Sequence, residues 1–103
     1  MILVVTLTVR KAAFDQFREF EQQAARVMAK HGGTIERTVF VAAKSGEDFF
    51  QEVHLVAFPD QAALTAYQQD AEIKTFLYLR EAAVLKTEIF VGEAGPNYGG
   101  TGS

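Results

Sequence analysis

The chain has 103 residues and a formal net charge of −3, and 49% of its residues are hydrophobic. This composition predicts one globular domain that buries roughly 65% of the surface of its unfolded chain. The acidic balance and the scattered Lys and Arg residues argue against a nucleic-acid-binding protein, and the lack of cysteine excludes disulfides and thiolate chemistry.

The first segment, ILVVTLTV (2–9), is rich in β-branched residues and has no helical period, so it predicts a strand. With the preceding methionine it is still too short to span a bilayer, and no basic segment precedes it. We therefore expect neither a membrane anchor nor a signal peptide, no membrane partner, and a cytoplasmic protein.

A helical pattern begins at Ala12 and is predicted to end at His31-Gly32-Gly33. Gly32 would supply the left-handed residue after the helix, and we interpret His31 as a helix C-terminal residue without a chemical role. The apolar face of this helix is formed by Ala13, Phe17, Phe20, Ala24, Val27 and Met28.

Two further strands, 34–43 and 49–58, flank a turn at KSGED and predict a hairpin. Pro59 ends the second of them, and Asp60 is the expected N-cap of a second helical region, 61–83, which forms two pieces that meet at Gln69-Asp70 or one kinked helix. The segment 84–92 predicts the last strand. Residues 1–92 would thus form one domain, and 93–103 a flexible Gly-rich tail.

The order βαββαβ predicts a ferredoxin-like α+β sandwich. Right-handed crossovers give a four-stranded antiparallel sheet with strand order 4-1-3-2 and with the helices on one face.

The alternation of side chains along each strand assigns residues to the two faces of this sheet. The more uniformly apolar set is assigned to the helix side. In the predicted edge strand 34–43 the matching set is less uniform, because it includes the charged Arg37. The helix-side set comprises Leu3, Val5, Leu7, Val9, Ile35, Arg37, Val39, Val41, Val53, Leu55, Ala57, Leu85, Ile89 and Val91.

The opposite set mixes polar residues, among them Glu52 and His54, with apolar ones that a solvated face would not carry. A second copy of the chain, packed sheet to sheet across a two-fold axis, is the simplest cover, so we predict a homodimer. The apolar residues of this set are Ile2, Val4, Phe40, Val56, Phe58 and Phe90.

The stretch AFPDQAALTAYQQDAEIKTFLYLREAAV (57–84) resembles the F-P…A…Y…D-P-E-Y…L-R run of the dimeric α/β-barrel superfamily, and KHGGTIE (30–36) fits its helix–Gly-Gly–strand junction. This superfamily includes antibiotic-biosynthesis monooxygenase-like domains, muconolactone isomerase-like enzymes and uncharacterised small-domain families. The resemblance covers 2–92 and implies the fold and the dimer. Ala71 and Ile73 depart from the run, and the lack of Trp, with Asn97 as the single Asn, argues against a haem-degrading member.

His54 and Glu52 are the candidate catalytic residues, because two residues of separation on a strand places both on one face, roughly 7 Å apart. His54 would act as a general base tuned by Glu52, or by Glu36 or Glu88 from neighbouring strands. Thr6 or Thr8 could hydrogen-bond its ring. The alternative is a histidine fixed by a carboxylate that aligns the dimer.

Several other residues could contact a small-molecule ligand. Tyr67 or Tyr78 could border a cavity mouth, and Arg80 could anchor an anion or bind a carboxylate of the protein. The candidates are Thr6, Phe40, Phe58, Tyr67, Arg80 and Phe90, although the phenylalanines could equally pack between two sheets.

The spacing of His54 and the glutamates has no metal signature, and no nucleotide or phosphate motif is present, so we expect neither metal nor cofactor. The resemblance implies a cofactor-independent oxygenase- or isomerase-like enzyme that acts on a small aromatic or carbonyl compound. The alternative is a non-catalytic dimeric ligand-binding or structural module.

Overall fold

The structure, a computed structural model, describes residues 1–100 and contains one sheet. Its strands are β1 (Ile2–Arg10), β2 (Thr34–Val41), β3 (Phe49–Ala57) and β4 (Val84–Gly92). They lie in the order β2-β3-β1-β4, and all neighbours are antiparallel. This confirms the predicted ferredoxin-like topology and strand order.

A short 3₁₀ turn (Lys11–Ala13) precedes the long helix α1 (Phe14–Ala29), so the regular helix begins two residues after the predicted start. Its buried residues include the predicted apolar stripe from Phe17 to Met28. Gly32, with φ at 77°, turns the chain toward β2, as predicted for the residue after the helix.

The second helical region, predicted as two pieces or one kinked helix, has three pieces: α2 (Gln61–Gln69), α3 (Ala71–Lys74) and α4 (Leu77–Ala83). Asp60 caps α2, because its carboxylate accepts a hydrogen bond of 2.9 Å from the backbone N–H of Ala63. Asp70 has an extended backbone that interrupts the helix, and its carboxylate accepts from the N–H of Glu72 at 2.8 Å.

The helices cover one face of the sheet, here called the inner face. Of three groups of buried side chains, two join the helices to the sheet and the third packs the helices against one another. One group lies near the start of α1, one near its end, and one between α1, α3 and α4. Their members are Leu7, Val9, Ala13, Phe17, Phe50 and Ala83; Leu3, Met28, Val56, Phe58 and Leu64; and Phe20, Ala24, Val27, Ile73 and Leu79.

The face predicted for β3 is wrong. In the β1–β3 register Val5 lies opposite His54 and Leu7 opposite Glu52, and opposed residues share a face of the sheet. Because Leu7 and its neighbours on β1 pack beneath the helices, Glu52 and His54 also lie on the inner face. Val53, Leu55 and Ala57, predicted to be core residues, lie on the other side.

Two irregularities change the faces of the edge strands. A register shift between Ile35 and Arg37 leaves Ile35 on the inner face, opposite Val56, but turns Arg37 to the outside. A second shift, opposite Thr8 and Val9, places Val84 instead of Leu85 against the buried residues. The shift in β2 also turns Val39 and Val41, which were predicted to be core residues, to the outside.

The face of the sheet opposite the helices, here called the outer face, is covered by no other layer formed from residues 1–100. Phe90 is 60% exposed there, and Val39 and Val41 are also exposed. Its positions are Ile2, Val4, Thr6, Thr8, Thr34, Arg37, Val39, Val41, Gln51, Val53, Leu55, Ala57, Lys86, Glu88, Phe90 and Gly92.

Residues 93–100 form no helix or strand, and residues 101–103 lie outside the described part of the chain. The flexibility of the tail therefore stays a prediction. No helix within residues 1–100 is long and apolar enough to cross a membrane.

Candidate functional site

A cavity of about 190 Å³ lies between the helices and the inner face, where the three groups of buried side chains meet. Most of its wall is apolar. The lining residues are Leu3, Val5, Leu7, Phe20, Glu21, Ala24, Met28, His54, Val56, Phe58, Leu64, Tyr67, Gln68, Arg80, Thr87 and Ile89.

His54 lies in the wall of this cavity and is only 4% exposed. Its Nε2 atom is 2.7 Å from Oε1 of Glu52, and its Nδ1 atom is 3.5 Å from Oε2 of Glu21 on α1. The imidazole therefore lies between two carboxyl groups, one at each ring nitrogen. An ionised Glu52 accepts the Nε2–H, which leaves the Nδ1 lone pair directed toward Glu21.

The pKa of the Glu21 carboxyl is raised from 4.5 to about 7, chiefly by burial; the charge of Glu52 acts in the same direction, whereas His54 and Arg80 oppose the shift. Near neutral pH this group is thus partly protonated. A carboxyl that exchanges a proton at this pH, in contact with an apolar cavity, is suited to general acid–base chemistry.

The sequence interpretation missed Glu21, although a signal for it exists. Glu21 is four residues after Phe17 and three before Ala24, so it lies on the apolar stripe of α1. A carboxylate in an otherwise apolar stripe indicates a buried polar contact, which here is His54.

Arg80 on α4 and Thr87 on β4 form another polar part of the wall. The Arg80 guanidinium donates from Nη2 to Oγ1 of Thr87. No carboxylate of residues 1–100 forms an ion pair with Arg80. The positive charge of Arg80 acts to lower the pKa of both Glu21 and Tyr67.

Tyr67 and Phe58 also line the cavity, and their ring centroids are 5.7 Å apart. Burial, followed by the nearby Glu21 carboxyl, raises the pKa of the Tyr67 phenol to about 12. Tyr67 therefore stays a neutral hydroxyl at neutral pH and can donate a hydrogen bond.

The remaining predicted ligand-binding residues do not line this cavity. Thr6 lies opposite Val53 and Phe90 opposite Val4, so both are on the outer face. Thr6 and Thr8 are consequently on the wrong face to hydrogen-bond His54, which corrects that expectation. Phe40, opposite Glu52, lies at the inner-face edge, where it is 57% exposed and packs on Phe50 with centroids 5.2 Å apart.

Neither of the more distant glutamates tunes His54. Glu88 lies on the outer face and pairs with Lys86 at 3.0 Å, and Glu36 falls at the register shift of β2. Within residues 1–100 no three acidic or histidine side chains converge as a metal site, because Glu21 and Glu52 meet opposite nitrogens of one ring.

A second charged cluster ties the end of α1 to α3, outside the cavity. His31 Nε2 is 2.7 Å from Oδ2 of Asp70, and Lys30 is 3.1 Å from the same atom. Arg26 pairs with Glu72 at 2.7 Å. The hydrogen bonds from His31, Glu72 N–H and Lys30 hold the pKa of Asp70 well below its usual range, so His31 has a structural role that the sequence did not indicate.

No protein-family model matches the sequence, and no curated protein matches it. Similar solved structures do exist. RPA0582, a protein of unknown function from Rhodopseudomonas palustris, has a TM-score of 0.74 at 17% identity, over 92% of this chain and 83% of that one.

Two other similar structures have functional names. SnoaB, a cofactor-independent oxygenase from Streptomyces nogalater, has a TM-score of 0.60 at 14% identity, over 91% of this chain and 93% of that one. An antibiotic biosynthesis monooxygenase has a TM-score of 0.63 at 13% identity, over 93% of this chain and all of that one. At these identities the likeness shows that the chain has the ferredoxin-like fold of such proteins.

Proposed function

We propose that this chain, which has the fold of antibiotic biosynthesis monooxygenase-like proteins, is a cofactor-independent oxygenase- or isomerase-like enzyme for a small aromatic or carbonyl compound. The observation that carries the proposal is the buried His54, held between the carboxyl groups of Glu52 and Glu21, with His54 and Glu21 in the wall of an apolar cavity. The oxygenase branch draws on what SnoaB is named for.

The first step of either reaction is removal of a proton from the substrate. Glu21 faces the cavity and accepts this proton when ionised, and Nδ1 of His54 can take it onward. Glu52 does not line the cavity; it is a positioning residue that fixes the ring and stabilises the imidazolium through Nε2.

The resulting phenolate or enolate has two outcomes. If the proton returns at another atom, the substrate is isomerised. If the anion gives an electron to O₂ and the two radicals combine at a carbon that keeps one hydrogen, the removed proton returns to the peroxide, and loss of water leaves a carbonyl. A CH₂ group and O₂ thereby become C=O and H₂O, and the substrate supplies the electrons.

The size of the cavity limits the substrate. A cavity of about 150 Å³ in another protein holds benzene, so about 190 Å³ accommodates one ring with a small substituent. The apolar wall contributes affinity and lowers the contact of the anion with water.

We also propose the homodimer, formed through the outer face. Three strands of nine residues and one of eight present a projected area of roughly 570 Å², which is of the same order as the about 800 Å² per partner that the standard interface buries. The support is the exposure of large apolar residues at both edges of this surface, Phe90 on β4 and Val39 and Val41 on β2.

The proposal is tested by following O₂ uptake and solvent-deuterium exchange with a panel of one-ring phenols and small 1,3-diketones. His54→Asn should lower the rate about 100-fold or more, with the fold retained by circular dichroism. His31→Asn, the same change at the other histidine, should leave the rate unchanged. Equal rates in wild type and His54→Asn would favour the non-catalytic ligand-binding or structural module.

A further inference from the structure

Arg80 presents unused hydrogen-bond donors beside the candidate base. A guanidinium has five N–H groups in a planar fork, and in Arg80 one of them is donated to Thr87. The Thr87 contact fixes the side chain between α4 and β4, in the wall of the cavity.

The charge of Arg80 is not matched by a carboxylate of the described residues. Glu52 is hydrogen-bonded to His54, and Glu21 is directed to the other nitrogen of the same ring. Because burial keeps the Glu21 carboxyl partly protonated near pH 7, it supplies less than a full negative charge. Arg80 is thus a fixed cation at an apolar cavity, where an anion is stabilised more than in water.

We infer that the substrate carries a carboxylate that Arg80 binds, and that it is a one-ring aromatic or enolic acid whose ring lies against the apolar wall. This inference rests on the proposed function, because it takes from there the second group of the substrate, the phenol or enol whose proton faces Glu21 and His54. A carboxylate fits the observations because the guanidinium fork can bind it in a bidentate manner. The volume of the cavity leaves room for one ring and such a group.

The inference is tested by the binding of benzoate and benzamide, which have nearly the same shape but differ in charge. Isothermal titration with the wild-type protein should give a dissociation constant for benzoate about 10-fold or more below that for benzamide. Arg80→Gln should abolish this preference. Arg18→Gln, which removes an exposed arginine over the Phe14 ring, should preserve it.

Equal binding of the two compounds by the wild-type protein, binding of neither, or a benzoate preference that survives Arg80→Gln would overturn the inference. If Arg80→Gln does not fold, the Arg80 Nε–Hε resonance of the wild-type protein replaces it as the readout. A shift with benzoate and not with benzamide supports the inference, and an unmoved resonance contradicts it.

The two proposals can fail separately. Arg80-dependent benzoate binding, without proton exchange on any tested compound, would leave the carboxylate site standing and remove the enzymatic function. Turnover of neutral phenols that depends on His54, without a preference for benzoate, would leave the enzymatic function standing and remove the carboxylate site.

Discussion

His54 lies directly opposite Val5 in the register of β3 on β1, and this pairing directs its imidazole toward the helices. The consequence is that the candidate site lies within one chain, between α1 and the sheet. The outer face, where a second chain would pack, is left without His54 or Glu52. Catalysis and dimerisation can therefore be tested with different residues.

We expect Glu21→Gln to change how stability depends on pH. The folded pKa of about 7 is above the unfolded value of 4.5, so the folded state binds the extra proton between these pH values. The wild-type protein therefore loses stability relative to Glu21→Gln as pH rises from about 4.5 to about 7, by about 3 kcal/mol in total. Below about pH 4.5 the Glu21 carboxyl is protonated in both the folded and the unfolded state, so it makes no pH-dependent difference to the stability of the wild-type protein.

Urea unfolding of both proteins at pH 4, 6 and 8 measures this difference, and a ¹³C titration of the Glu21 carboxyl measures its midpoint directly. A stability difference independent of pH, with a midpoint near 4.5, would show that Glu21 is not held in an apolar environment.

Phe90→Lys should convert the proposed dimer to a monomer. Phe90 lies on the edge strand β4, and a lysine there would be desolvated without a partner when a second chain covers the outer face, whereas on an exposed surface it costs little. Light scattering should give the mass of two chains for the wild-type protein and of one chain for Phe90→Lys. Tyr78→Lys, at a 65% exposed aromatic residue of α4, is the control and should leave the mass of two chains. A wild-type mass of one chain at micromolar concentration contradicts the dimer.

Gly33→Ala should destabilise the protein by about 1 to 3 kcal/mol through overpacking. A Cβ atom at Gly33 would collide with Cγ of Met28 and lie 2.6 Å from Cε1 of Phe58, and both side chains line the cavity. Gly92→Ala, where a Cβ meets nothing within 4 Å, serves as the control. Thermal unfolding measures both, and an unchanged midpoint for Gly33→Ala would mean that this part of the wall is loosely packed.

The sequence was sufficient to predict the strand order, because the element order and the rule of right-handed crossovers leave few alternatives. It was not sufficient to predict which face of β3 is buried. Both alternating sets of that strand contain large apolar residues, Val53 and Leu55 in one and Phe50 and Val56 in the other. Glu52 and His54 made the buried set appear the more polar one, and hence the solvent-facing one.

The edge strands were ambiguous for another reason. A register shift exchanges the two faces without any change in composition, and neither the shift at Ile35 and Arg37 nor the one opposite Thr8 is marked by Gly or Pro. His54 and Glu52 were correctly paired because residues two apart share a face in any register. Glu21 comes from a different element, so its contact with them depends on how α1 packs.

The most direct test of the account is whether a ligand of the proposed kind meets His54. The chain has two histidines, so the imidazole ¹⁵N resonances of His54 and His31 can be followed separately while phenol is added. The account predicts a saturable change at Nδ1 and Nε2 of His54, with His31 unmoved. A phenol-dependent change at His31 or at outer-face residues such as Thr6, with His54 unmoved, would contradict it.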